Sequence, residues 1–188
     1  MIRIAIIIGS TRPGRAGEAV GRWVYNYAST RTDAEVELVD LKDHPLPFLD
    51  EAMPPSLGQY SKELTKAWAK KIASFDAFVF VMPEYYHGIS AVLKNAIDFL
   101  YAEWNNKVAG FVSYGSAGGA RAVEQLRTVM AELQVATVRV QVLMPMATDF
   151  ENYRNFKPQP QRLDPLRSML DQLVSWGTAL RSVRASTG

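Results

Sequence analysis

The chain contains no cysteine, only two histidines, and no apolar run of membrane-spanning length. Without cysteine it builds neither a disulfide framework, nor a thiolate metal centre, nor a cysteine nucleophile, and the composition is compatible with a reducing, cytoplasmic setting. The apolar segment at residues 1–9 lacks a signal-peptide cleavage pattern and is far too short to cross a bilayer, so it is expected to be a strand. An excess of one charge is also missing. The 21 Lys and Arg stand against 19 Asp and Glu, giving a formal net charge of +2. No basic block is present, which argues against a nucleic-acid partner. There is no GxSxG elbow, and His87 alone cannot complete a hydrolytic triad. No metal site is expected.

What is present describes a globular chain. Its 188 residues are 48% hydrophobic and 21% charged, enough for one domain spanning residues 1–188 to close its own core. Residues 3–9 are apolar after Arg3 and rich in isoleucine, as a strand covered on both faces should be. Val20, Trp23, Val24 and Tyr27 then recur at helical spacing. Residues 36–40 predict a second strand. The stretch 41–58 carries Pro45, Pro47, Pro54 and Pro55, and reads as a surface loop that could wall a site.

Leu64, Trp68, Ile72 and Phe75 mark a second helix, and residues 77–82 a buried third strand. Val92, Leu93, Ala96, Ile97 and Leu100 define a third helix, residues 107–114 a fourth strand, and Val123, Leu126, Met130 and Leu133 a fourth helix. Residues 136–142 are expected as the fifth strand. Residues 143–164 read as loop, before a last helix marked by Leu166, Met169, Leu170 and Leu173. Strands alternating with helices call for a parallel, doubly wound α/β sheet, and the flavodoxin-like order 2-1-3-4-5 is the expected arrangement.

In such a sheet, ligands bind outside the carboxyl ends of the strands, where the loops after strands one, three and four meet. Those loops hold the chain's unusual residues. Gly9-Ser10-Thr11-Arg12-Pro13-Gly14-Arg15 offers hydroxyls, guanidinium groups and amides at a helix entry, a set suited to phosphate. Arg15 and Ala16 stand where a P-loop needs lysine and a metal-binding hydroxyl, so a triphosphate is disfavoured. GxGxxG is absent after the first strand, which leaves a monophosphate as the best fit. Pro83-Glu84-Tyr85-Tyr86-His87-Gly88 supplies aromatic rings that can border a planar ligand. Tyr114-Gly115-Ser116-Ala117-Gly118-Gly119 lets backbone amides approach a ligand edge.

Taken together, Gly9-Ser10-Thr11-Arg12 with Arg15, Pro83-Glu84-Tyr85 followed by Leu93-Lys94-Asn95-Ala96-Ile97-Asp98, and Ser113-Tyr114-Gly115 with Gly118-Gly119 resemble the NAD(P)H-dependent FMN reductases. That family of the flavodoxin-like superfamily includes quinone, azo-dye and chromate reductases. The resemblance implies an oxidoreductase that takes electrons from NADPH or NADH through FMN to a small-molecule acceptor, and a homodimer or homotetramer. It implies that Ser10, Arg12 and Arg15 hold the FMN phosphate, and that Pro83, Glu84, Tyr85 and Tyr86 line the ribityl chain and flavin ring. Ser113, Tyr114, Gly115, Gly118 and Gly119 would face the pyrimidine edge. The family usually has asparagine where this chain has Tyr86. No residue is expected to transfer protons, since the flavin carries the chemistry. A flavodoxin-type electron carrier and a flavin-free regulatory protein are the alternatives on the same fold.

Overall fold

The isoleucines at the amino terminus form β1 (Ile2–Ile8), and successive side chains leave by opposite faces of the sheet. Ile4 and Ile6 enter one apolar layer while Ala5 and Ile7 enter the other. The computed structural model describes residues 1–186, so Thr187 and Gly188, at the end of the expected domain, lie outside the described residues. Along the chain follow α1 (Gly17–Ala28), β2 (Ala34–Asp40), α2 (Glu63–Ala73), β3 (Ala77–Pro83), α3 (Ala91–Asp98), β4 (Val108–Gly115) and α4 (Ala120–Glu132). Then come β5 (Ala136–Thr137), β6 (Val142–Pro145), α5 (Met146–Asp149), β7 (Phe150–Glu151), β8 (Asn155–Phe156) and α6 (Leu163–Ser186).

The main sheet has the order β2-β1-β3-β4-β5, with β6 also paired to β4, and every pairing in it is parallel. Because β3 is buried along its whole length, its two side-chain sets separate cleanly. Phe78, Phe80 and Met82 pack with Trp68, Ile72, Leu93, Ile97, Val123 and Leu126 of α2, α3 and α4. Val79 and Val81 pack with Val20, Val24, Leu166, Leu170 and Leu173 of α1 and α6. Each such side chain removed from water contributes about 1.5–3 kcal/mol, so both helical layers are held to the sheet mainly by apolar burial.

The structure corrects the expected fifth strand. Residues 136–142 do not run as one strand, because the chain bows away from β4 between β5 and β6. The Arg127 side chain enters the gap and donates to the Val138 carbonyl at 2.9 Å, while the Gln172 side chain accepts from the Val140 amide at 3.4 Å. Backbone groups that a continuous ladder would satisfy are thus met by side chains. The expected loop at 143–164 is corrected as well, since it contains α5 and an antiparallel hairpin of β7 and β8.

Candidate functional site

Strand register brings the three unusual loops to one level. Ile8 lies beside Asp40 on one side and Val81 on the other, and Pro83 lies beside Tyr114. The chain leaves β1 at Gly9, whose amide donates to the Val81 carbonyl at 2.8 Å and whose carbonyl accepts from the Ser90 hydroxyl. Above these strand ends opens a cavity of about 710 Å³, lined by residues 12–16, 83–85, 114–115, Met146 and 153–155. That volume falls within the range of small-molecule sites.

Two of the expected phosphate residues turn out to be engaged by the protein. Arg15, with its side chain 6% exposed, makes a two-pronged ion pair with Asp40 at the end of β2, one prong at 2.9 Å, and also donates to the Ser10 carbonyl. It borders the cavity with its charge already matched. Ser10 is buried, and its hydroxyl oxygen lies 3.3 Å from that of Tyr114. Burial pushes the Tyr114 hydroxyl up to about 12, against the opposing effect of the Ser10 hydrogen bond, so it stays protonated at neutral pH. Gly17 passes directly over this pair. A Cβ there would stand 2.5 Å from Ser10 Oγ and 2.7 Å from Tyr114 Oη, which is why the first turn of α1 has no side chain at that point. Arg12 is exposed and lines the cavity, without an acidic partner among the described residues.

The second loop is held from both ends. The Glu84 amide donates to the Tyr114 carbonyl at 2.9 Å, and Tyr85 and Gly88 exchange backbone hydrogen bonds across a tight turn. At the tip of that turn Tyr86 and His87 have φ of 48° and 69°. Tyr86 is fully exposed and lies outside the cavity lining, whereas Pro83, Glu84 and Tyr85 belong to it. The buried Glu84 carboxylate accepts from the Arg121 amide at 3.1 Å and from Arg121 Nε at 2.7 Å. Burial alone would raise its pKa, but the Arg121 guanidinium and the α4 amides outweigh burial and hold it below its ordinary value.

In the third loop, Tyr114 and Gly115 face the cavity, while Ser113, Gly118 and Gly119 build the turn into α4. Ser113 Oγ donates to the Gly118 carbonyl at 2.8 Å. Gly118 and Gly119 have φ of 68° and 81°, and a Cβ on Gly119 would come within 2.6 Å of Ser113 Cβ. Close approach and left-handed backbone both require glycine there.

The remaining wall was not expected. Residues 41–58, read as a possible wall, do not line this cavity; Lys42 stands beside the first loop, and further on the segment is held to α3, where Asn95 Nδ2 donates to the Pro47 carbonyl at 2.7 Å and Asn95 Oδ1 accepts from the Leu49 amide at 3.0 Å. The cavity is closed by Met146 and by Tyr153, Arg154 and Asn155 of the hairpin. A signal for this was present, because a structureless loop as long as 143–164 argues against its own assignment. Arg154, like Arg12, has no acidic partner among the described residues, whereas Arg15, Arg121 and Arg162 are all paired.

Known proteins share this chain's sequence family and its fold. The model of the family described as NADPH-dependent FMN reductase matches residues 2–149. An NAD(P)H-dependent FMN reductase of a Nectria species is 39% identical over 154 residues, covering 78% of this chain and 77% of that protein. A protein of the same description from Schizosaccharomyces pombe is 43% identical over 148 residues, covering 78% of this chain and 72% of the relative. Among solved structures, the flavoenzyme NAD(P)H:(acceptor) oxidoreductase FerB of Paracoccus denitrificans superposes with a TM-score of 0.73 at 19% identity, over 95% of this chain and 98% of that one, and so shares the fold.

Proposed function

The chain belongs to the NADPH-dependent FMN reductase family and is an oxidoreductase, and from that premise we propose that it holds FMN in the cavity over β1, β3 and β4. Electrons pass from NADPH or NADH to a small acceptor such as a quinone, free flavin, azo dye or metal oxyanion. The observation that carries this reading is the cavity of about 710 Å³ with Arg12 on its wall, without an acidic partner among the described residues. The residues present fit the cofactor. Arg12 and the amides of the first loop suit a phosphate monoester, Pro83 and Tyr85 border a planar ring, and the bare backbone at Gly115 admits a ligand edge. A Cβ at Gly115 would meet Glu84 Cβ at 3.2 Å, so that edge stays free of side chain.

When bound, FMN supplies the two-electron chemistry between nicotinamide and acceptor. The protein's own part is positioning. Arg15 holds the first loop through Asp40 and the Ser10 carbonyl, Tyr114 lines the cavity while its protonated hydroxyl meets Ser10 beneath Gly17, and Glu84 ties the second loop to the third. No side chain is assigned to proton transfer.

The reading extends to a single flavodoxin-like domain over the chain, to a cytoplasmic protein and to a homodimer or homotetramer. Phe48, Met53 and Leu57 are exposed apolar side chains on the proline-rich loop, which supports self-association. No helix among the described residues is long and apolar enough to cross a membrane.

Flavin titration tests the proposal. FMN is expected to quench on binding, FAD to bind more weakly because the site suits a terminal phosphate, and anaerobic NADPH or NADH to bleach the bound flavin without a partner reductase. Equal affinity for FAD, or no binding of either flavin below the millimolar range, would overturn it. A bound flavin that nicotinamide leaves oxidised would point instead to an electron carrier.

A further inference from the structure

The family match ends at residue 149, and the hairpin begins at Phe150. This hairpin is firmly rooted. Asp149 is buried, accepts from the Gln159 amide at 3.0 Å, and forms an ion pair with Arg162 at 2.8 Å. The Phe150 ring packs 6.1 Å from Tyr114 and 5.3 Å from Phe156, which in turn meets Trp23 edge-on at 6.0 Å. Aromatic packing on a cavity residue and on α1 therefore fixes where the hairpin tip stands.

At the tip, Asn152 and Tyr153 have φ of 53° and 56°, and the Arg154 amide closes the turn on the Glu151 carbonyl at 3.1 Å. A left-handed tyrosine is unfavourable for its bulk. It places an exposed aromatic ring and a guanidinium side by side on the cavity wall. Glu151 of the same hairpin is paired with Lys157 at 3.4 Å, leaving Arg154 without an acidic partner among the described residues.

On the FMN-reductase reading, one cavity holds two cations, Arg12 and Arg154, that have no acidic partner among the described residues. Arg12 lies within the part matched to the family, and the function proposed above assigns the FMN phosphate to it. Arg154 lies beyond that part, where ligand selection can differ between members. The second ligand of the reaction is a nicotinamide nucleotide, and NADPH differs from NADH by a phosphate on the adenosine ribose. An exposed ring beside an unpaired guanidinium matches a phosphorylated adenosine, the ring face meeting the base and the planar fork meeting the phosphate. We propose that Tyr153 and Arg154 form the donor-selecting subsite, with Arg154 taking the ribose 2′-phosphate, so that NADPH is preferred over NADH.

The test is calorimetric titration of the FMN-loaded protein with 2′,5′-ADP and with 5′-AMP. The wild type is expected to bind 2′,5′-ADP about tenfold more tightly, the effect of one charge-assisted phosphate contact. Arg154→Gln abolishes that ratio and leaves the FMN dissociation constant unchanged. Tyr153→Asn, a residue suited to the left-handed turn, weakens both nucleotides by the same factor. The inference falls if neither nucleotide binds, if the ratio survives Arg154→Gln, or if that variant loses FMN, which would assign Arg154 to the flavin phosphate. Failure of the wild type to take up FMN at all would instead overturn the function proposed above.

Discussion

Glu84, in the loop after β3, is joined to Arg121 in the first turn of α4 through both the side chain and the backbone of that arginine. One carboxylate thereby caps a helix and locks two walls of the cavity together. Negative charge at a helix amino terminus is favourable in itself, and here it also sets the distance between the second and third loops.

Glu84→Gln is expected to lower stability by about 2 kcal/mol, the loss of charge-assisted bonds at a buried acceptor. The sign of the pH effect follows from the carboxyl being held below its ordinary value in the folded state. Its contribution is complete above the unfolded carboxylate range, near pH 4.3 or so, and is lost as pH falls through the folded value. Urea unfolding of wild type and variant between neutral and acidic pH should therefore converge at the acid end. A gap that stays constant down to the lowest pH would exclude this role.

Arg12→Ala is expected to weaken FMN by about 2 kcal/mol, roughly thirtyfold, through loss of a phosphate contact. Because Arg12 is exposed and without an acidic partner among the described residues, thermal unfolding of the apoprotein should be unchanged. Flavin fluorescence titration and a melting curve read the two effects separately.

Arg15→Ala should show the opposite balance. Removing this guanidinium leaves Asp40, whose side chain is only 15% exposed, with the Lys42 amide but no counter-charge, and frees the Ser10 carbonyl. Breaking a largely buried pair from one side costs about 3 kcal/mol. Apoprotein stability should fall by that order in denaturant titration. A variant as stable as wild type would return Arg15 to a purely ligand-facing role.

Gly17→Ala sets two effects against each other. Alanine in a helix is ordinarily better than glycine by about 1 kcal/mol. The added methyl, however, collides with two buried hydroxyl oxygens, and overpacking costs about 1–3 kcal/mol. Net destabilisation is expected, together with weaker FMN binding as Tyr114 is displaced. Calorimetric melting showing a stabilised variant would mean that Ser10 and Tyr114 move apart freely.

The alternation of strands and helices was legible in the chain because a strand buried on both faces must be apolar along its whole length, as β3 is, while the helices show their buried stripe at 3.6-residue spacing. The positions of the three site loops followed from that order, and seven of the expected residues, Arg12, Arg15, Pro83, Glu84, Tyr85, Tyr114 and Gly115, line the cavity. Ser10, Tyr86, Ser113, Gly118 and Gly119 flank it instead.

Which loops carry chemistry is local information: glycine, proline and arginine constrain the backbone and the charge wherever they stand. Which cation is ion-paired is not. Arg15 is neutralised by Asp40 only because β1 and β2 pair in a register that sets Ile8 beside Asp40, bringing together two residues distant in sequence. The hairpin at 150–156 escaped for a related reason. Its turn lacks the Asn-Gly or Asp-Gly pair that marks tight hairpins, and Asn152 and Tyr153 are held left-handed while Phe150 and Phe156 pack on Tyr114 and Trp23. Local sequence thus specified the strands, the helices and the loops between them, whereas tertiary packing decided which of the cavity's cations are ion-paired, because an ion pair and an aromatic anchor exist only once distant segments meet.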